Sequence, residues 1–211
     1  MVEAIEEAKT LDAEHRKRIE VDTYHALFWR IICTHGYLIG LPRRLSLLTP
    51  QAEAVALSSI RHKFGPSNKL SESRKTEKQT AESKERRKLA IERGHVCFDL
   101  FAPIVADLFE RSEKLRHWFA TRYPIIIVDE FQDTSEDQWR VVKSLRKDAL
   151  VLALADPEQR IFDFIGADPE RLDHFKEAFV PTVVDLKWAN PVSCTLAQTH
   201  LPAAEPLRHL L

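Results

Sequence analysis

The chain has little glycine, and none of its five glycines precedes Lys-Ser or Lys-Thr. A phosphate-binding loop reads Gly-x-x-x-x-Gly-Lys-Ser/Thr and supplies a backbone cradle, a lysine and a magnesium ligand. The sequence therefore excludes nucleotide binding through a phosphate-binding loop of this type. The glycines are Gly36, Gly40, Gly65, Gly94 and Gly166.

Cysteine is also scarce, and Cys33, Cys97 and Cys194 form no Cys-x-x-Cys pair. Their odd number and wide spacing argue against a disulfide framework or a zinc site, and predict free thiols in a reducing compartment. No apolar run approaches the length of a membrane span, and the acidic first residues lack the apolar core of a signal peptide. We therefore expect a cytoplasmic protein.

Charge of one sign is not in excess, since 31 Lys and Arg face 32 Asp and Glu and the net charge is −1. Any contact with nucleic acid must then come from a local site. The length of 211 residues suffices for one domain with an inserted subdomain.

Residues 125–134 read Ile-Ile-Ile-Val-Asp-Glu-Phe-Gln-Asp-Thr. Four β-branched residues predict a short, fully buried strand that delivers Asp129 and Glu130 at its carboxyl end, where open α/β sheets bind ligands. One carboxylate there can hold Mg²⁺ and the other can take a proton from water. An apolar strand followed by two acids is also common without any activity. Residues 131–134 favour function, because a plain strand end would turn with Gly, Asn or Pro.

Three segments resemble motifs of the UvrD/Rep-type superfamily 1 DNA helicases. Asp-Glu-Phe-Gln-Asp-Thr resembles motif II, the Walker B element. A second predicted strand, residues 151–155, leads into residues 156–167, which are similar to motif III. Residues 21–27, Val-Asp-Thr-Tyr-His-Ala-Leu, resemble motif Ic, although helix capping and a solvent-facing His also explain them. Phe98-Asp99-Leu100 resembles the Phe-Asp-Asp-Leu segment that precedes motif II.

The resemblance implies an α/β fold: an incomplete RecA-like (P-loop NTPase) parallel sheet with a mainly helical inserted subdomain. It implies ATP and Mg²⁺ as cofactors, with Asp129 holding the metal and the nucleotide. Glu130 corresponds to the catalytic base, and Gln159 to the catalytic glutamine that senses the γ-phosphate. Asp156 either fixes the motif III loop or caps the following turn. The implied contacts with single-stranded DNA are Thr23, Tyr24, His25, Phe162 and Phe164.

The sequence also departs from the family pattern. In motif III, Arg160 replaces the usual Ser and Ile165 the usual Arg, and Val192 stands where motif IV has its arginine. With the phosphate-binding loop and a second motor domain also missing, we expect a truncated ATP-dependent 3′–5′ DNA helicase that is inactive alone. A chain that carries the missing domains is a candidate partner.

The periodicity predicts helices over residues 25–36, 51–60 and 96–119, and Ser135 with Gln138 predicts a capping box. Residues 61–93, rich in Lys and Arg, predict a loop or a solvated helix, which either touches a phosphate backbone or serves as a linker. The expected division is 1–36, a partial RecA-like segment; 37–119, a helical insertion; 120–186, a RecA-like βαβ segment; and 187–211, a divergent tail.

Two other functions remain open at this stage. A non-enzymatic module could bind single-stranded nucleic acid or a partner protein through His25, Phe162, Phe164 and the basic stretch 61–93. A metal nuclease would instead use the carboxylates of the two strand ends, although the match to two helicase motifs argues against it. Those carboxylates are Asp129, Glu130, Asp133 and Asp156.

Overall fold

The structure is a computed structural model that describes residues 17–155, 170–187 and 193–198. The chain divides into two compact units, with the division after Val105. Within the described ranges, no helix combines the length and apolar character that a bilayer crossing requires. The four-part division expected from the sequence stays a prediction.

The first unit begins with helix α1, Tyr24–His35, which confirms the helix predicted over residues 25–36. Thr23 caps its amino end, because its hydroxyl accepts a hydrogen bond of 3.1 Å from the N–H of Ala26. Gly36 ends the helix. The buried face carries side chains at helical spacing: Phe28, Ile31 and Ile32.

The helix predicted over residues 51–60 is two short helices, α2 (Pro50–Ala56) and α3 (Ser58–Phe64), which meet at the fully buried Leu57. The basic stretch contains a 22-residue helix, α4 (Glu72–Arg93), so the helical alternative of that prediction is confirmed. Its Lys, Arg, Glu, Gln and Ala residues are good helix formers, and they form a helix here although few of them are apolar.

Gly94 ends α4 in a left-handed conformation, with φ of 70°. A Cβ at this position would lie 2.4 Å from the carbonyl oxygen of Arg44. The Gly94 carbonyl accepts a hydrogen bond of 2.8 Å from the N–H of Ser46. Glycine is therefore required for the close approach of two short parallel strands, β1 (Ser46–Leu47) and β2 (His95–Val96).

The second unit contains the predicted βαβ arrangement. Strand β3 (Ile125–Val128) and strand β4 (Leu150–Ala153) are parallel neighbours, joined by helix α7 (Glu136–Leu145). The predicted capping box is present: the Ser135 N–H donates to the Gln138 side chain at 2.8 Å, and the Ser135 hydroxyl accepts from the Gln138 N–H. The predicted inner face of α7 is buried: Trp139, Val142 and Leu145.

The prediction that residues 125–128 form a fully buried strand is wrong. Ile125 is 45% exposed and Ile127 is 61% exposed, whereas Val128 is buried. The reason is position: β3 is the terminal strand of the described sheet, whose order is β3-β4-β6-β5. Ile125 and Ile127 share one face of this edge strand, since side chains alternate along a strand.

The remaining strands of this sheet are antiparallel, whereas the prediction was a parallel sheet. Strand β6 (Ser193–Gln198) pairs antiparallel with β4 and with β5 (Thr182–Lys187). The parallel part of the described sheet is the β3–β4 pair, so a partial helicase domain is compatible with the structure and a complete RecA-like sheet is not shown. The prediction of a helix over residues 96–119 is wrong in its extent: Val96 lies in β2, and the range holds two helices, α5 (Phe101–Arg111), which runs through the division between the units, and α6 (Glu113–Arg122). Helix α8 is Arg171–Phe179.

Candidate functional site

Asp129 and Glu130 form an exposed turn directly after β3. Glu130 has a left-handed backbone, with φ of 50° and ψ of 43°, which is uncommon for a residue with a side chain. Its N–H donates to the Asp129 carboxylate at 3.0 Å. Such backbone strain persists only where the surroundings impose it, and it is found often at functional sites.

The residues after the two acids anchor this turn. The Phe131 N–H donates to the carbonyl of Leu154, just beyond β4, at 2.9 Å. The Phe131 ring is fully buried, with edge contacts to the rings of Phe175 at 5.0 Å and Trp139 at 6.0 Å. The exposed Asp129-Glu130 pair therefore lies on a turn that the Phe131 backbone and its buried ring hold in place.

Gln132 and Thr134 are the polar residues buried in this turn, with 6% and 1% exposure. The Gln132 amide donates to the Glu130 carboxylate at 2.6 Å. The Thr134 carbonyl accepts from the Arg171 guanidinium of α8 at 3.2 Å. Sequence reasoning gave neither Gln132 nor Arg171 a role, since neither local pattern shows which carboxylate or carbonyl it meets.

Asp129 offers an exposed carboxylate to a cation, and one carboxylate suits Mg²⁺, which keeps several waters and shares phosphate oxygens. Within the described ranges, no group of three or more His, Cys, Asp or Glu side chains converges as a metal cage. The residues present thus fit a water-rich Mg²⁺ site and offer no closed one. Four other predicted residues, Asp156, Gln159, Phe162 and Phe164, lie outside the described residues, as do Arg160 and Ile165.

In the first unit, the predicted DNA contacts lie at the start of α1. Thr23 is the helix cap, and the Tyr24 ring lies 5.4 Å from the ring of Phe28. His25 is exposed, and its ring lies 5.6 Å from the ring of Phe98 in an edge-on arrangement. Thr23 thus caps α1, and His25 is exposed but also contacts the Phe98 ring.

Phe98 extends this patch, and the sequence had marked it only through its resemblance to Phe-Asp-Asp-Leu. It is 43% exposed and lies 5.3 Å from Phe101, whose ring stacks on Trp29 at 5.3 Å and 16°. His25, Trp29, Phe98 and Phe101 form what we call the aromatic patch. Exposed rings held by buried ones provide surfaces on which flat ligands can stack.

Among the eleven Lys and Arg residues in the range 61–93, Lys78 and Arg86 have partners within the unit that bury or pair their charge. Lys78 is buried and donates to the Gly65 carbonyl at 2.9 Å and to the Ser67 hydroxyl at 3.0 Å. Arg86 pairs with Glu53 at 2.8 Å and with Asp99 at 3.3 Å. Lys78 and Arg86 therefore connect α4 to neighbouring segments, and these two side chains are engaged within the protein instead of being offered to a phosphate backbone.

Comparison with known proteins then decides the family. The family model of the UvrD/REP helicase N-terminal domain matches residues 67–180, more than half of the chain. The chain belongs to this family. The match includes Phe98 and residues 129–134, whereas α1 lies outside it.

Individual UvrD/REP relatives align over different lengths. The ATP-dependent DNA helicase PcrA of Staphylococcus epidermidis is 22% identical over 80% of this chain and 27% of its own length. The DNA helicase II of Haemophilus influenzae is 32% identical over 39% of the chain and 12% of its own length. The RecBCD enzyme subunit RecB of Buchnera aphidicola is 42% identical over 22% of the chain and 4% of its own length. The chain thus spans about a quarter of the length of PcrA, and a smaller share of DNA helicase II and of RecB.

Proposed function

We propose that this chain is the ATP-hydrolysis and single-stranded-DNA-contact segment of a UvrD-like ATP-dependent DNA helicase. The observation that carries the proposal is the anchored, strained turn that presents Asp129 and Glu130 at the carboxyl end of β3. Similarity to the ATP-dependent DNA helicase PcrA and to DNA helicase II supports the same activity, although the chain spans only part of each.

In this proposal, Asp129 would hold Mg²⁺, and Glu130 would orient the attacking water and accept its proton. A bound metal would supply charge neutralisation at the phosphates. A positioned base contributes about 10² to 10⁴ in rate. Gln159 is proposed to sense the γ-phosphate, since an amide can both donate to phosphate oxygens and accept from water.

The chain alone is proposed to be inactive, because its sequence contains no phosphate-binding loop. Without that loop the nucleotide lacks the backbone cradle and the lysine that hold its phosphates. A missing arginine finger would lower turnover by a further factor of about 10³ to 10⁵. A second polypeptide, or a further part of the same one, would have to supply these groups.

Hydrolysis of MgATP by the purified chain tests the catalytic half of the proposal. We expect phosphate release at the rate of a buffer control, with and without single-stranded DNA. Mg²⁺-dependent release that is lost in Glu130→Gln would contradict the proposed inactivity and support the role of Glu130. Equal release by the wild type and Glu130→Gln, above the control, would contradict that role.

The aromatic patch carries the DNA half of the proposal. Stacking of a base on an aromatic ring contributes about 1–3 kcal/mol and does not depend on the base, as a translocating protein requires. His25 and Phe98 are the exposed members of the patch, and Thr23 and Tyr24 adjoin them. Phe162 and Phe164 are proposed to stack on the same strand.

Fluorescence anisotropy with a labelled oligonucleotide tests this contact. We expect salt-sensitive binding that Phe98→Ala weakens by about 5- to 150-fold, the range that corresponds to one lost stack. The matched control is Trp118→Ala, which removes a 55% exposed ring on α6. No binding at any salt concentration, or an equal loss in both variants, contradicts the proposal.

A further inference from the structure

Gln132 has the structural features of a residue that orients Glu130. Its side chain is buried, and its amide nitrogen lies 2.6 Å from Oε2 of Glu130. A hydrogen bond to an ionised carboxylate is shorter and about twice as strong as a bond between neutral groups. The bond thus joins a buried donor to an exposed acid.

The backbone around Gln132 is fixed by three hydrogen bonds. The Phe131 N–H donates to Leu154 at 2.9 Å, the Asp133 N–H to the Glu130 carbonyl at 2.9 Å, and the Thr134 N–H to the Phe131 carbonyl at 3.1 Å. Because the backbone on both sides is anchored and the side chain is buried, the Gln132 amide has less freedom to move than the exposed Glu130 carboxylate. The hydrogen bond therefore favours a Glu130 orientation that is set by Gln132.

We propose that Gln132 is a positioning residue, which binds one carboxylate oxygen of Glu130 and leaves the other directed to a water molecule. Oε1 of Glu130 accepts no hydrogen bond from the residues that the structure describes. A base that is held by one oxygen can bind water with the other in a fixed direction. This inference rests on the function proposed above, since it assigns a purpose to the orientation of Glu130.

The contrasting explanation is that the bond only closes the turn, and Gln138 offers a matched comparison. Gln138 also binds within this segment, where its side chain accepts from the Ser135 N–H at 2.8 Å. It contributes to the stability of α7 as part of the capping box. Replacing it therefore tests what a purely structural glutamine does to Glu130.

The experiment is ¹³C NMR of the full chain with labelled glutamate carboxyls, in which Glu130→Gln assigns the Glu130 signal. We expect Gln132→Leu to move the Glu130 signal towards that of a freely rotating surface glutamate, and Gln138→Leu to leave it in place. An unmoved signal in Gln132→Leu, or equal movement in both variants, would overturn the proposal.

A reciprocal measurement covers the case in which Gln132→Leu does not fold. Glu130 is exposed, so Glu130→Ala removes the acceptor without opening the core. We expect the side-chain amide signals of Gln132 to shift in that variant, and unchanged signals would overturn the proposal. Neither spectrum needs ATP or DNA. A failure of the ATP and DNA assays would count against the proposed function and leave these spectra to decide the role of Gln132.

Discussion

At the scale of single residues, left-handed backbone occurs at two described positions that are not glycine, Glu130 and Val180. The conformation costs about 1–2 kcal/mol because Cβ approaches a carbonyl oxygen. At Glu130 the strain accompanies the proposed base and is held by the anchored turn. At Val180 it ends α8, where the Val180 N–H donates to the Lys176 carbonyl at 2.9 Å. The second case is ordinary helix capping with an unfavourable residue.

Val180→Gly is therefore expected to stabilise the protein by about 1 kcal/mol. The relief of strain exceeds the backbone entropy that glycine loses on folding, and Val180 is 78% exposed, so little packing is lost. Urea unfolding followed by circular dichroism measures the change. Val180→Ala is the control, because it keeps Cβ and most of the strain. A gain in the alanine variant as large as in the glycine variant would contradict this account.

At the scale of helices and strands, the sequence predicted correctly those features that depend on residues close together in the chain. The capping box and the buried face of α7 were confirmed, because Ser135, Gln138 and the apolar spacing lie within one short segment. The exposure of Ile125 and Ile127 was missed, since a run of β-branched residues does not show whether its strand lies at an edge. The proximity of His25 and Phe98 was likewise hidden by the 72 residues between them.

The attachment of α8 to the motif II turn depends on Arg171, which is 1% exposed. Its guanidinium donates to the Thr134 carbonyl at 3.2 Å and to the Glu136 carboxylate at 3.0 Å, and lies 5.7 Å from the Trp139 ring. We expect Arg171→Ala to lower the free energy of unfolding by about 2–4 kcal/mol, through a cavity and a buried carbonyl without its donor.

Glu136→Ala separates the ion pair from the burial in the same unfolding measurement. The Glu136 side chain is 69% exposed, so the loss should stay below about 1 kcal/mol. Lys143→Ala, an exposed change on the same helix, provides the baseline. Equal losses in Arg171→Ala and Glu136→Ala would show that the ion pair, and not the buried guanidinium, holds α8.

At the scale of the whole molecule, the net charge of −1 provides little repulsion between copies. The edge strand β3 presents two isoleucines on one face beside the backbone groups of an outer strand. Exposed apolar edge strands are templates for pairing with other chains, and natural proteins often protect such edges with Lys. Here the exposed positions carry Ile125 and Ile127, so self-association through this edge is expected as concentration rises.

Ile127→Lys should therefore reduce self-association, which sedimentation velocity over a range of concentrations would measure. Ile127 is 61% exposed, so the lysine charge lies in solvent and no free energy is lost by burying it. The matched control is Val55→Lys, which places the same charge at a 75% exposed position on helix α2 and leaves the strand edge apolar. Each variant changes the net charge from −1 to 0, so if net charge alone governs association, both will associate at least as much as the wild type. If the strand edge governs it, as we expect, Ile127→Lys will shift the distribution towards monomer and Val55→Lys will resemble the wild type.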